Sequence, residues 1–166
     1  MWAWKESRVN TLKKYIDELY VILPFEKEFF EKKHNYKVHY FGNPVMNNID
    51  EFIRINKIKI QSKKPIISIL PGSRKQEVKK ILSDILKVIK KFPNYRFIIA
   101  GVSHIDKEFY EKILNGNNTE IIFNKTYELL NSSSFSIVAS GTATLETALF
   151  NVPQIVCYLS LIHISE

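Results

Sequence analysis

Apolar residues between positions 65 and 158 fall into short blocks that predict strands separated by helices. Five near-continuous apolar runs are typical of buried strands: Pro65–Leu70, Tyr95–Ala100, Glu120–Phe123, Phe135–Ala139 and Gln154–Tyr158. Four segments with helical spacing of apolar residues alternate with them: Gln76–Lys91, Asp106–Leu114, Tyr127–Asn131 and Thr142–Phe150. This order indicates a parallel sheet with helices on both faces. With right-handed crossovers, the predicted fold class is α/β, a Rossmann-like parallel sheet layered by helices.

The chain before Pro65 carries a weaker pattern. It predicts a helix over residues 9–19, an apolar stretch Tyr20–Leu23, a charged helix Phe25–Lys33 and a strand Lys37–Phe41. The turn signal Gly42-Asn43-Pro44 follows, and the Asn- and Lys-rich residues 47–64 predict a linker or a short surface helix. We therefore expect a domain boundary between Gly42 and Asp50, and assign residues 1–42 and 43–158 to different domains.

Composition and charge narrow the class of protein and its partners. The 166 residues are 45% hydrophobic and 25% charged, which is typical of a globular protein. The net charge of +7 rests on 20 lysines and only four arginines. Nucleic-acid-binding proteins favour arginine forks and aromatics interleaved with basic residues, and the sequence has no such cluster. We expect no nucleic-acid partner, but a basic surface with weak attraction to acidic lipid headgroups.

The lengths of the apolar runs, the charges of the first residues and the single cysteine bear on localisation. None approaches the ~20 residues of a membrane-spanning helix. Residues 1–25 carry charges throughout, which does not fit the apolar core of a signal peptide. The single cysteine, Cys157, excludes an internal disulfide framework and is predicted to be a core residue. These features predict a cytoplasmic protein.

The loop Leu70–Glu77, between a predicted strand and a long predicted helix, is the first candidate site. Gly72 allows the backbone to approach a ligand closely, and Ser73 with Gln76 fits a capping box in which Ser73 is the N-cap. Capping alone would explain these two polar residues without a ligand. Arg74 is different, because a cation in the first helical turn opposes the helix dipole unless an anion is bound there. Arg74 is therefore predicted to contact a phosphate.

The second candidate is the loop at residues 139–146, which also joins a strand to a helix. Ser140, Gly141 and Thr142 offer hydroxyl and amide groups in front of a helix N-terminus, which favours an anion. With Thr142 as N-cap, a capping box would need an acid at Leu145, and Glu146 lies one residue too far. Glu146 is suited to accept two hydrogen bonds from a ribose diol. The alternative is a carboxylate that only favours the first helical turn.

Common cofactor and metal motifs do not occur in the sequence. It contains neither GxxxxGK[ST] nor GxGxxG, so a standard ATPase and a dinucleotide dehydrogenase are not supported. The four histidines, His34, His39, His104 and His163, do not have the spacing of metal ligands. We expect no cofactor and no metal.

Taken in order, the motifs resemble those of one enzyme family. They are Trp2-Ala3-Trp4 with Arg8, Leu23-Pro24-Phe25-Glu26, Phe41-Gly42-Asn43-Pro44, Leu70-Pro71-Gly72-Ser73-Arg74 with Glu77, and Ser140-Gly141-Thr142-Ala143-Thr144-Leu145-Glu146. The ordered set is similar to that of bacterial lipid-A-disaccharide synthases, glycosyltransferases with two Rossmann-like domains. It runs from residue 2 to about residue 158 and is far more specific than any single motif.

The resemblance implies a reaction and a division of labour between domains. Family members transfer 2,3-diacylglucosamine from UDP to 2,3-diacylglucosamine 1-phosphate, which gives lipid A disaccharide 1-phosphate and UDP. Residues 1–42 would be the tail of the amino-terminal, acceptor-side domain, and residues 43–158 most of the UDP-binding domain. The family implies a cytoplasmic enzyme that is peripheral at the inner membrane.

The resemblance also implies a set of residues that bind UDP: Gly72, Ser73, Arg74, Glu77, Ser140, Gly141, Thr142, Thr144 and Glu146. Arg74 and the loop amides would stabilise the charge that develops on the leaving diphosphate, without a metal. Glu146 would hold the ribose. The catalytic base would come from the acceptor-side domain, most of which the chain does not contain.

The chain departs from the family pattern in three respects. Family members are about twice as long, so we expect an inactive fragment that keeps its UDP-binding loops. Asn43 stands where many relatives have histidine, and residues 159–166 do not match the family. Three alternatives stay open from the residues alone: another UDP-sugar transferase, a UDP-N-acetylglucosamine 2-epimerase, or a non-catalytic nucleotide-binding module.

Overall fold

A computed structural model describes residues 5–56 and 59–158 of the chain. Its backbone contacts define two compact units, one ending at Asp50 and the other beginning at Glu51. This division falls at the end of the range Gly42–Asp50 in which the sequence places a boundary, several residues after the assigned position 42/43. The Trp2-Ala3-Trp4 motif and the tail at residues 159–166 lie outside the described residues.

The first unit contains short elements around a small core. In chain order these are α1 (Arg8–Tyr15), β1 (Tyr20–Val21), α2 (Pro24–Glu28) with a π-helical continuation (Phe29–Lys33), and β2 (His39–Tyr40). Strands β1 and β2 pair in parallel. The core consists of Val9, Val21, Phe30 and Val38. The predicted helices are confirmed in type, although α1 ends four residues early and the predicted strand at 37–41 shrinks to two residues.

Helix α3 spans Pro44–Ile55, where the sequence predicted a linker or short surface helix from residue 47. Its start follows from the turn signal. The Asn43 side-chain oxygen accepts a hydrogen bond from the Val45 N–H at 3.0 Å, and proline at the first helical position needs no hydrogen-bond acceptor. Of the two alternatives, the short helix is confirmed for residues 47–55 and the linker is wrong there, because apolar residues such as Ile49, which is buried, give this polar segment one apolar face.

The second unit is the predicted α/β sheet. Its elements are β3 (Ile66–Leu70), α4 (Lys75–Ile89), β4 (Arg96–Gly101), α5 (Lys107–Leu114), β5 (Glu120–Phe123), α6 (Thr126–Ser132), β6 (Phe135–Ala139), α7 (Thr142–Leu149) and β7 (Gln154–Cys157). The strands are all parallel, in the order β5-β4-β3-β6-β7. Each predicted strand and helix of this region is confirmed to within two residues at either end.

Apolar side chains cover both faces of this sheet, as near-continuous apolar strands require. On one face, Ile69 and Ile99 pack with Val78 and Leu82 of α4. On the other, residues such as Ile98 and Val138 pack with Leu129 and Leu130 of α6. The strands are held between these two layers, which fixes the position of the loops at their ends.

The direction of winding reverses between β3 and β6. These strands are neighbours in the sheet although residues 71–134 separate them in sequence. Their register pairs Leu70 with Val138, so both strands end at the same level. Buried hydroxyl groups of Ser68 and Ser136 hydrogen-bond between them. In open α/β sheets such a reversal opens a crevice at the carboxyl ends of the strands, and ligands bind there.

Candidate functional site

A cavity of about 210 Å³ lies at this carboxyl edge, between the loops that follow β3 and β6. Seven of the nine predicted UDP-binding residues line it: Gly72, Ser73, Glu77, Ser140, Gly141, Thr142 and Glu146. Helices α4 and α7 begin at its rim, and the first amide N–H groups of a helix have no partner within the helix. Two loops that are far apart in sequence therefore form one pocket with anion-binding character.

Gly72 cannot be replaced by another residue without distortion. Its φ of +99° lies in the left-handed region, which favours glycine. A Cβ atom at this position would lie 2.8 Å from Glu77 Oε2 and 3.3 Å from Ala139 Cβ. The glycine thus brings the backbone close to both the second loop and the Glu77 carboxylate, and it keeps the cavity open on the β3 side.

Ser73 does not have the capping role that the sequence suggested. Arg74 is the N-cap of α4, in extended conformation, and no side chain caps the helix there. Ser73 lies one residue outside, with its carbonyl oxygen 2.7 Å from His104 Nε2. The capping box of Ser73 and Gln76 is therefore wrong by one residue, because Arg74 rather than Ser73 takes the half-helical position. Ser73 lines the cavity instead.

Arg74 lies beside the cavity rather than on its wall. Its Nη1 atom donates to Glu77 Oε1 at 3.0 Å, and 72% of its side chain is exposed. It lines a second cavity of about 220 Å³, which shares Glu77, Ala139 and Ser140 with the first. From the sequence, a bound anion was expected to balance this cation at the helix N-terminus. In the structure the Glu77 carboxylate balances it.

The second loop begins its helix at the predicted residue. Gly141 is the N-cap of α7 and Thr142 is its first residue. The capping argument, which took Thr142 as the N-cap, therefore applies to Gly141 instead. The hydroxyl of Thr144 donates to the Gly141 carbonyl at 2.6 Å, so this threonine closes the first turn and does not line the cavity. Ser140, Gly141 and Thr142 line the cavity.

Glu146, on α7, also lines the cavity. It is half-buried, and burial raises the pKa of its carboxyl group above the ordinary value. The hydroxyl of Tyr127, on α6, lies 3.4 Å from Glu146 Oε1 and opposes that rise by donating a hydrogen bond. Burial, with the neighbouring Glu146 charge, raises the pKa of Tyr127. The pair therefore consists of a protonated phenol and a carboxylate that is partly withdrawn from water.

Sequence reasoning missed three contributors from neighbouring loops. Val102 follows β4, and Thr126 begins α6 after β5; both line the cavity. His104, treated above as a scattered histidine, holds the Ser73 carbonyl. One feature of the sequence could have identified all three residues, because each lies just beyond the carboxyl end of a predicted strand. Applying that rule to four strands rather than two would have found them.

The described residues hold no cluster of three or more His, Cys, Asp or Glu side chains suited to a metal ion. Cys157 packs against the core on the α4 face, and burial raises the pKa of its thiol. A thiol held in this form is a weak nucleophile. This agrees with the prediction of a core cysteine.

Comparison with known sequences identifies the family. The sequence profile of the lipid-A-disaccharide synthetase family matches residues 1–162 of the chain. The chain belongs to this family. The match extends four residues beyond the predicted end at residue 158, and it favours the lipid-A-disaccharide synthase interpretation over the epimerase and the other UDP-sugar transferases.

Curated members of the family give the extent of the match. The chain is 32% identical over 170 residues to the lipid-A-disaccharide synthase of Francisella philomiragia, and 31% identical over 172 residues to that of Francisella tularensis subsp. novicida. Each alignment covers 95% of this chain and 45% of the relative. The chain therefore spans less than half the length of the curated relatives that it matches.

Among solved structures, the fold is similar to a chain in the crystal structure of the GtfA/B complex. The TM-score is 0.56, and the match covers 97% of this chain and 38% of that chain. At 10% sequence identity the likeness concerns the fold alone.

Proposed function

We propose that the chain is the UDP-binding part of a lipid-A-disaccharide synthase. The reaction is transfer of 2,3-diacylglucosamine from UDP to 2,3-diacylglucosamine 1-phosphate, which forms the lipid A disaccharide 1-phosphate and releases UDP. Family membership supports this substrate pair. The chain alone supplies the donor side, because the acceptor side and the catalytic base belong to the rest of a chain more than twice as long.

The observation that carries the proposal is the shared cavity of the two loops. It is lined by residues at the starts of α4 and α7 and by Glu146 in the next turn of α7. A nucleoside diphosphate has the matching chemistry, an anionic diphosphate joined to a ribose with two hydroxyl donors. In this arrangement the diphosphate lies against the amides near Ser73 and Thr142, and the ribose lies against Glu146.

Such a site promotes transfer through its electrostatics. As the bond between the sugar C1 and the phosphate oxygen breaks, negative charge grows on the leaving UDP. Fixed amide N–H groups stabilise that charge without reorganising, and one such donor is typically worth about 3–4 kcal/mol. No metal is required for this step, since helix N-termini and a guanidinium supply the positive potential.

Arg74 and Glu77 act together in this proposal. An exposed ion pair of this kind is worth only about 0–1 kcal/mol, so exchanging the carboxylate for a diphosphate costs little. Glu77, which lines both cavities, holds the guanidinium beside the site until the substrate binds. Arg74 then turns its fork towards the leaving group.

We further propose that the enzyme works in the cytoplasm at the surface of the inner membrane, where its lipid substrates lie. In the part of the chain that the structure describes, no helix is long and apolar enough to cross a membrane. Among residues 1–64, lysine and arginine outnumber aspartate and glutamate by 13 to 8, which favours an anionic lipid surface.

The proposal is tested in two steps on the 166-residue chain. Calorimetric titration should detect UDP binding, because both loops are present. A synthesis assay with UDP-2,3-diacylglucosamine and radiolabelled acceptor should give no disaccharide, because closure of two domains is needed to bring donor and acceptor together. A longer polypeptide that also supplies the family's amino-terminal domain should be active. Failure to bind UDP would overturn the donor-site assignment, and product from the chain alone would show that the catalytic residues lie within it.

A further inference from the structure

Tyr127 contacts the site indirectly, from behind Glu146. Its ring belongs to an aromatic cluster with Phe52 of α3, at 5.4 Å, and Phe150 at the end of α7, at 5.3 Å between ring centroids. These contacts hold the Tyr127 ring, which belongs to α6, against the end of α7. Its hydroxyl oxygen lies 3.4 Å from Glu146 Oε1.

Packing explains the ring of Tyr127 but not its hydroxyl. The two partners in the cluster are both phenylalanines, and a third phenylalanine would make the same ring contacts. A half-buried hydroxyl also loses hydrogen bonds to water, a cost that must be offset by a partner. Glu146 is that partner, so the hydroxyl is explained by what it does to the carboxylate.

The hydrogen bond leaves the carboxylate in a defined state for a ligand. A carboxylate has about four acceptor positions on two oxygens. Tyr127 occupies one position on Oε1, which leaves Oε2 and the rest of Oε1 for two further donors. Because burial raises the pKa of Glu146 and the Tyr127 hydroxyl lowers it, the same bond also favours the ionised, acceptor-only form.

We propose that Tyr127 is a positioning residue that orients Glu146 towards the ribose diol of the nucleotide and thereby sets the preference for ribose. This rests on the proposed function, in which Glu146 binds the ribose. Tyr127 does not touch the nucleotide in this scheme. Its effect on affinity passes entirely through the Glu146 carboxylate, and this distinguishes it from a residue that only stabilises the fold.

Few other titratable groups surround this carboxylate among the described residues. Glu77 of α4 lines the same cavity, and Glu128 is the other acid of α6. Strand β6 has no titratable side chain, and Cys157 of β7 packs on the opposite face of the sheet. On α3, whose Phe52 packs on Tyr127, Glu51 and Arg54 are exposed.

The test compares UDP with 2′,3′-dideoxy-UDP on the 166-residue chain by calorimetry. Wild type should prefer UDP. Tyr127→Phe keeps the ring and removes the hydroxyl, and it should weaken UDP binding by about 3- to 10-fold while leaving dideoxy-UDP binding unchanged. Tyr95→Phe, at the opposite edge of the sheet, is the matched control and should change neither. Equal losses for both nucleotides, or no change in preference, would overturn the proposal.

A double-mutant cycle separates positioning from general stabilisation. If Tyr127 acts through the carboxylate, Tyr127→Phe should have no further effect on UDP affinity in a Glu146→Gln background. Additive losses in the double variant would overturn the proposal. Unchanged far-UV circular dichroism verifies that each variant is folded.

The pH profile provides a readout that a purely structural role would not change. The ratio of the UDP and dideoxy-UDP affinities cancels the titration of the diphosphate. It should fall as the pH drops through the pKa of Glu146, and the fall should occur at higher pH in Tyr127→Phe, since the hydroxyl that lowers this pKa is gone. An unchanged profile would overturn the proposal. Wild type that fails to bind UDP would instead overturn the proposed function itself.

Discussion

Arg74 joins a structural and a catalytic role under the proposed function. In the structure its guanidinium is paired with Glu77 on the same helical turn, so its positive charge at a helix N-terminus is balanced. We propose that a leaving diphosphate competes for the same guanidinium with more charge and a matching geometry of acceptors. In that scheme Glu77 holds the residue near the site, and we expect its interaction with the leaving group to strengthen as the reaction proceeds.

Replacing Arg74 by alanine in a complete enzyme should lower turnover by about 100-fold or more, because a donor to the leaving group acts mainly in the transition state. Arg74→Lys should restore only part of the loss, since a point charge cannot reproduce the fork. Steady-state kinetics provide the measurement. Arg96→Ala is the control, because it removes another arginine of the second unit, which pairs with Glu120 away from the cavity. Turnover of Arg74→Ala within twofold of wild type would remove Arg74 from the mechanism.

Glu146, which lines the candidate site, should lower the stability of the fold at neutral pH. Burial raises the pKa of Glu146 in the folded chain. The folded chain is therefore most stable below the pKa that Glu146 has when the chain is unfolded, and this stability is lost as the pH rises through the pKa of the folded state. Glu146→Gln should therefore raise Tm at pH 7 by about 1–3 °C, and by less near pH 4. The exposed Glu51→Gln should change Tm at neither pH. A lower Tm for Glu146→Gln at pH 7 would contradict the burial argument.

At these positions the sequence predicted which residues share a cavity better than it predicted their contacts. Seven of nine predicted residues meet in one cavity because loops after parallel strands share an edge, a rule that needs only the strand assignments. The pairing of Arg74 with Glu77 and the place of Tyr127 behind Glu146 were not predictable in the same way. They depend on which residue is the N-cap and on how α6 packs against α7, and both are set by tertiary packing.

At the scale of elements, the loop between β3 and α4 depends on one backbone geometry. Gly72 combines a left-handed φ with close contacts to Glu77 and Ala139. The loop is thereby folded against β6 before any ligand arrives. Preorganisation of this kind reduces the ordering cost of binding.

Gly72→Ala should lower the free energy of unfolding by more than backbone strain alone would, and it should also weaken UDP binding. Gly116 is a matched control, because its φ is +80° but a Cβ at that position would have no atom within 4 Å. Gly116→Ala should cost about 1 kcal/mol from strain. Gly72→Ala should add about 1 kcal/mol, because its shortest overlap is with the flexible end of the Glu77 side chain and the overlaps at 3.3 Å need shifts of only a few tenths of an ångström. Denaturant unfolding of both variants measures the difference, and equal costs would show that the loop relaxes freely.

The pattern predicted the elements of the second unit better than those of the first. Strands β3, β4 and β6 are largely buried, so their apolar runs are long and bounded by turn residues. Strands β1 and β2 are two residues each, which is too short to show the alternation of apolar and polar residues that predicts a strand. For residues 47–64 the Asn- and Lys-rich composition left a linker and a short surface helix as alternatives. The Asn43 side chain, which accepts a hydrogen bond from the Val45 N–H, favours the helix that begins at Pro44.

At the scale of the whole molecule, we expect the basic character of residues 1–64 to produce a weak electrostatic association with lipid. Vesicles with anionic lipid should bind the chain weakly at low salt and release it as the Debye length shortens towards ~3 Å at 1 M. Neutral phosphatidylcholine vesicles should not bind at any salt concentration. Flotation measures both. Tight binding to anionic vesicles that persists at ~1 M salt would show an apolar rather than an electrostatic contact.

The reversal of strand order has a consequence for synthesis on the ribosome. Strand β3 can pair with β4 soon after both have emerged, whereas its other edge must wait for β6, until residues 71–134 have been made. At translation rates of about 5–20 residues per second this delay is about 3–13 s. For that interval β3, whose residues are all buried in the folded chain, has one edge of unpaired backbone N–H and C=O groups, and its apolar side chains are not yet fully covered. Chaperones that recognise extended apolar segments would find their binding site there, and slow codons between residues 71 and 134 would lengthen the exposure.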